Sequence, residues 1–201
     1  MYKMRKSDHT INNINDPVWK EAELAEVMTV NWEIEGQTYL PKTVAYAMYS
    51  ERGLHIKMTT DEKPLRATET EHNGRICEDS CMEFFVRPNE NDPRYINFEI
   101  NPIGTMYVSV RYDRYNFEYL SESAEYFSLV SEITPDKWTL MYTIPFDYID
   151  RIFGAHTNNM FGNFYKCGEK TTHPHLLTYY PVKHPNPDFH IPSTFGDFIL
   201  E

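Results

Sequence analysis

Apolar residues recur at every second position in segment after segment of this chain. That period of two belongs to β-strands, because successive side chains on a strand point to opposite faces. In "YINFEINP" (95–102), Ile96, Phe98 and Ile100 fall on one side, and Tyr95, Asn97, Glu99 and Asn101 on the other. "DSCMEFFVRP" (79–88) groups Met82, Phe84 and Val86, and "GTMYVSVRY" (104–112) groups Met106, Val108 and Val110. "TVAYAMYS" (43–50) sets Val44, Tyr46 and Met48 against Thr43, Ala45 and Ala47. It returns through "ERG", where Gly53 is free to take positive φ, into "LHIKMTT" (54–60), with Leu54, Ile56 and Met58 on one face. "EYFSLVSEI" (125–133) and "WTLMYTI" (138–144) flank the turn "TPDK" as a second hairpin, and "NFYKC" (163–167) and "FGDFIL" (195–200) complete the strands. Helical character is confined to "DPVWKEAEL" (16–24), with Asp16 as N-cap and Pro17 at the first helical position, and to "PFDYIDRIF" (145–153). The expected architecture is all-β: an antiparallel β-sandwich, immunoglobulin-like or jelly-roll-like, with one or two short helices. It spans 1–201 as one domain.

Charge narrows the partners. Nineteen basic against 30 acidic residues leave a net charge of −11, which repels nucleic-acid phosphates and anionic membranes. No segment approaches the ~18 apolar residues of a membrane-spanning helix. The N-terminal "MYKMRKSDHTINNIND" lacks the apolar stretch of an export signal. The expected location is therefore cytoplasmic, or secreted if a leader has been lost. Cys77, Cys81 and Cys167 are too few and too scattered for a disulfide framework or a zinc ribbon, and read as free thiols. Oligomeric state is left open.

If the apolar positions of 79–112 face a core, the opposite face gathers Glu83, Asn97, Glu99, Asn101, Tyr107, Ser109 and Arg111. Such carboxylates, amides, hydroxyls and a guanidinium can exchange hydrogen bonds with a ligand's hydroxyls or bind a cation. The same pattern is expected of an ordinary solvated sheet face. Glu83 and Glu99 also admit a glycoside hydrolase, which needs the pair within roughly 5–10 Å of each other in a cleft. No cofactor signature is present. Calcium stays open as a ligand of these oxygens, although no EF-hand spacing marks it.

The stretch "HPHLLTYYPVKHPNPDFHIP" (173–192) combines His173, His175, His184 and His190 with prolines and aromatics. Pro174 forces an extended chain at His173, so neighbouring imidazoles diverge, and a stiff wall is expected rather than a metal site.

Several segments, in order, resemble the carbohydrate-binding module family 9-like domains: "DPVWKEAE", "EDSCMEFFVRP", "YINFEINPIGTMY", "WTLMYTIPFDYI" and the run from Asn163 to Gly196. The resemblance covers nearly the whole chain. It implies a non-catalytic, calcium-associated β-sandwich that binds a mono- or oligosaccharide in polysaccharide or oligosaccharide catabolism, as the xylanase-associated members do. It further implies a sugar held between two aromatic platforms. One falls at Cys77, where a thiol replaces the family's Trp, and the other at Tyr179, beside Tyr180. The family's strand Glu matches Glu83. Because a thiol cannot stack on a pyranose as an indole does, a scaffold that keeps the fold without the sugar is the serious rival.

Overall fold

The structure is a computed structural model and describes residues 1–35, 37 and 39–201. Among the described residues, fourteen strands follow one another: β1 Tyr2–Lys6, β2 Ala25–Glu26, β3 Thr29–Val30, β4 Thr43–Ser50, β5 Gly53–Thr60, β6 Cys81–Arg87, β7 Tyr95–Ile100, β8 Met106–Arg111, β9 Phe117–Tyr119, β10 Val130–Ile133, β11 Trp138–Pro145, β12 Asn159–Gly168, β13 His175–Thr178 and β14 Gly196–Leu200. One α-helix, α1 (Phe146–Phe153), follows β11.

The strands form two layers. In one, β10, β11, β5 and β4 lie side by side; in the other, the order is β14-β12-β6-β7-β8-β9. β1 stands between them and pairs with β4 through Arg5 and Lys6, and with β14 through Tyr2, Lys3 and Met4. Both of these pairings are parallel, whereas the other pairings are antiparallel. The sandwich is therefore mostly rather than wholly antiparallel. Alternation within a strand reports its faces but carries no information about the direction of its neighbour.

The core lies between the layers. β6, β7 and β8 contribute Phe84, Phe98 and Val108 with their i±2 neighbours, as the alternation requires, and β5 and β11 contribute Leu54, Ile56, Leu140 and Tyr142. In β4 the small side faces inward: Ala45 and Ala47 join this core. Met48 and the half-buried Tyr46 instead pack beneath Ile11, Ile14 and Trp19. Between β4 and β5, Gly53 adopts φ +156°, and a Cβ there would lie 2.1 Å from the Ile144 carbonyl oxygen, so glycine is required.

Three local expectations change. Residues 16–24 form only a short 3₁₀ turn, Pro17–Glu21, with Asp16 accepting from the Val18 N–H at 3.0 Å. The strand expected over 125–133 begins only at Val130, because Ser128 takes φ +52° and turns the buried Phe127 into the core. β1, β2, β3, β9 and β13 are additions; the last is a four-residue strand inside the proline-rich stretch.

Candidate functional site

The outer face of β6, β7, β8 and β12 is not solvated, and it mixes polar side chains with the buried rings of Phe85, Tyr95 and Tyr165. Glu83, Asn97, Glu99, Asn101, Ser109 and Arg111 are all buried, and only Tyr107 is half-exposed. Residues 182–190 cross this face as a lid, pinned by side chains of the sheet and of the segment that follows β3. The Tyr165 hydroxyl donates to the Phe189 carbonyl (3.2 Å), and the Phe189 ring stacks on Tyr165 at 4.3 Å. His190 meets the Tyr95 hydroxyl at 2.9 Å and stacks on Phe85 at 4.9 Å. The Trp32 indole N–H donates to the His184 carbonyl (2.8 Å), and Asn31 accepts from the Val182 N–H (2.7 Å). The wall expected from the prolines therefore exists, and His190 and Phe189 fasten it to the face of the sheet.

Between lid and sheet lies a cavity of about 120 Å³ that opens to solvent. Its floor is Glu83, Glu99 and Cys167; Cys77 and Glu169 form one side, and Leu176, Pro187, Asp188, Phe189 and His190 form the lid side with Arg114. Glu83 and Glu99 are directly opposite across the β6–β7 ladder. Facing residues in such a ladder have Cβ atoms about 5 Å apart. The register thus brings the two side chains near each other, but both groups rise from one floor. Each also already holds a partner: Cys167 Sγ donates to Glu83 at 2.9 Å, and Asn97 Nδ2 donates to Glu99 at 2.8 Å.

Burial pushes the Glu83 carboxyl well above the usual range, and the facing Glu99 adds to the push. Burial likewise raises Glu99 to about 7, against the pull of Arg111 and the Asn97 amide. Near neutral pH the pair retains a proton, and so offers both a donor and acceptors to whatever enters. Arg111 itself is used up: its Nε donates to Asn97 Oδ1 (3.0 Å) and Ser109 Oγ (2.7 Å), and Nη1 donates to the Arg114 carbonyl (2.9 Å). Its Nη2 donates to the Tyr107 hydroxyl, and its guanidinium lies over the Phe117 ring at 4.1 Å. Asn97 and Arg111 therefore orient the floor from beside it, on the same face of the sheet.

Of the residues singled out in the sequence, Cys77, Glu83 and Glu99 meet in the cavity and Asn97 and Arg111 support it. Three do not reach it. Asn101 fixes a turn and the loop before β6, donating to the Glu69 carbonyl (2.9 Å) and Asp79 (3.0 Å) and accepting from Thr105 N–H (2.9 Å). Tyr179 and Tyr180 pack against the sandwich core on the opposite side of the sheet, with Tyr179 edge-on to Tyr2 at 6.0 Å. The ring face expected at Tyr179 is replaced in the cavity by Phe189. The sequence alone reads Cys167 as a free thiol and does not place Cys167, Glu169 or Phe189 at the binding site. Phe189 carried one signal: it is the sole Phe, Tyr or Trp between Pro181 and Pro192.

The histidines of 173–192 do not converge. His175 Nδ1 meets the His173 carbonyl and its Nε2 meets Lys166, on the core side, while His190 faces Tyr95 on the other. Among the described residues, no three carboxylates cluster closely enough to mark the calcium implied by the resemblance. Asp79 spends its oxygens on Thr68, Glu69 and Asn101. Among the described residues, the close-set group of histidine, cysteine and carboxylate side chains holds two thiols, not a cage of oxygens. No helix among the described residues is long and apolar enough to cross a membrane.

Comparison with known proteins agrees with this fold. A protein from Bacteroides uniformis, provisionally described as carbohydrate-binding, superposes with a TM-score of 0.84 at 27% identity, covering 100% of this chain and 98% of that one. A family 9 carbohydrate-binding module from Caldicellulosiruptor kristjanssonii in complex with cellotriose superposes at 0.66 with 11% identity (100% and 93% covered). The same figures of 0.66 and 11% hold for a module from that organism in complex with glucose (99% and 95% covered). No curated protein matches the chain. The model of carbohydrate-binding family 9 matches residues 18–200, nearly the whole sandwich and all of its lid, and the chain belongs to that family.

Proposed function

We propose that this protein binds a carbohydrate in the cavity between the lid and the β6–β7–β12 face, without acting on it chemically. The carrying observation is the cavity itself: carboxyls of Glu83, Glu99 and Glu169 and the Arg114 guanidinium converge beside one aromatic ring, Phe189. A sugar presents apolar C–H faces and hydroxyls that both donate and accept, and that mixture matches a polar floor beside a ring. At about 120 Å³ the cavity is well below the roughly 300 Å³ at which drug-sized sites begin. One pyranose unit, alone or at the end of a chain, suits it better than the middle of a polysaccharide. Glucose and cellotriose, carried by the two Caldicellulosiruptor modules, are the first ligands to try.

Stacking contributes less here than polar contact, because Phe189 is already 8% exposed and leans on Tyr165, while Cys77 offers no ring. Calorimetry with glucose, xylose and their oligomers tests the reading. One site per chain is expected, with affinity reduced at least tenfold by Glu99→Gln, since a hydrogen bond to a charged group is worth about 1.5–3 kcal/mol. Silence across the panel would leave only the scaffold reading.

Register favours one further reading, hydrolysis by the facing Glu83 and Glu99. Hydrolytic carboxyls flank the scissile bond from two sides, whereas these two share a floor. Incubation with cello- and xylo-oligosaccharides should leave them intact; cleavage abolished by Glu99→Gln would establish the enzyme instead.

A further inference from the structure

The three cysteines, scattered in sequence, meet at this one place. Cys81 and Glu83 are two apart on β6 and so project from the same face, and Cys167 is the directly facing residue of Cys81 on β12. The two thiol sulfurs and a Glu83 carboxylate oxygen lie within 4.8 Å of one another. In a tetrahedral zinc site, with Zn–S of about 2.3 Å, donors stand roughly 3.8 Å apart. The present spacing therefore needs only a small contraction, and the Cys167–Glu83 contact is already 2.9 Å. All three groups are buried on two adjacent, fully paired strands, so the donors are held before any ligand arrives.

We propose that Cys81, Cys167 and Glu83 form a binding site for a single thiophilic d10 cation of the zinc type. Two thiolates select such a cation over calcium or magnesium, and a carboxylate is an accepted third ligand. Glu83 and Cys167 also line the cavity, which supplies the entry path and leaves the fourth position for water or for the Cys77 thiol beside it. Binding exchanges the two thiol protons, and any proton on Glu83, for the metal; the protons leave to solvent and no electrons are transferred. This site shares Glu83 and Cys167 with the carbohydrate cavity but needs no sugar to form, so metal binding without any sugar is read independently of the carbohydrate proposal.

The test uses the full chain with Zn²⁺ and Co²⁺ as probes, in a non-thiol reductant that keeps the facing cysteines from pairing. One equivalent of Co²⁺ should give thiolate-to-metal charge-transfer absorption and the visible bands of a tetrahedral ion, and Zn²⁺ should bleach them and raise the melting temperature. Cys81→Ala with Cys167→Ala should weaken Zn²⁺ binding at least 100-fold. Cys77→Ala should keep the charge-transfer band. Wild-type protein that shows no charge-transfer band overturns the site without recourse to any variant. So does Zn²⁺ affinity that survives loss of both Cys81 and Cys167.

Discussion

Tyr179 turns its ring towards Tyr2 and Phe164 on the core side of the sheet, whereas Phe189, further along the same proline-rich stretch, lines the cavity on the other side. The two rings are therefore separable by mutation. Tyr179→Ala should leave glucose affinity within about twofold of wild type while costing roughly 1–3 kcal/mol of stability, the range for losing a half-buried aromatic contact. Calorimetry and urea denaturation on one variant measure both, and lost binding without lost stability would put the platform back at Tyr179. A second residue-scale prediction concerns His55, whose ring is buried between Ser50 Oγ (2.8 Å) and Thr143 Oγ1 (2.9 Å). Burial, with smaller contributions from Arg52 and His9, lowers its pKa from 6.5 to about 4. The unfolded chain thus takes up the proton first on acidification. Stability is full above pH ~6.5 and falls by on the order of 3 kcal/mol towards pH 4. His55→Gln should flatten part of that acid limb in denaturation midpoints compared at pH 7 and pH 4; an unchanged slope would show that other groups govern it.

The lid over residues 182–190 is an element without regular structure of its own, so its position depends on named side-chain contacts rather than a backbone ladder. Removing one fastener should loosen it locally. Tyr95→Phe deletes the hydroxyl that meets His190 and should cost about 1 kcal/mol. Amide exchange should speed up in 182–190 while the core strands keep their protection. Uniform protection in the variant would mean that the stacking of His190 on Phe85 suffices alone. The strands that bracket the site were readable because both periodicity and burial agree: Met82, Phe84 and Val86 face the core, and Glu83 faces the cavity. The lid's course was not, because proline fixes local φ and says nothing about which face of a sheet the segment crosses. The same gap misplaced Tyr179 and Tyr180, whose side of the sheet is decided by β13 pairing with β12, a four-residue strand that an irregular sequence conceals.

At the scale of the whole molecule, β1 joins the two layers. Tyr2 and Met4 are fully buried in the shared core, and the strand pairs in parallel with both β4 and β14. Its sequence, "YKMRK", alternates too briefly to be conspicuous, and the parallel pairings join strands far apart in the chain, which local patterning cannot reveal. Deleting residues 1–6 strips two large core side chains and should cost on the order of 5 kcal/mol, lowering the melting temperature by more than about 10 °C. A melting temperature unchanged by calorimetric scanning would show that the layers hold without it. The fold as a whole serves to bury a polar face beneath a lid and leave one small opening, and the account stands on that opening being where sugar binds. The most direct measurement is an amide-shift titration of the labelled protein with glucose. The account predicts shifts concentrated at Cys77, Glu83, Glu99, Cys167, Glu169 and residues 187–190, with Tyr179 and Tyr180 nearly still. Shifts centred on Tyr179 and Tyr180 with the cavity undisturbed would contradict it.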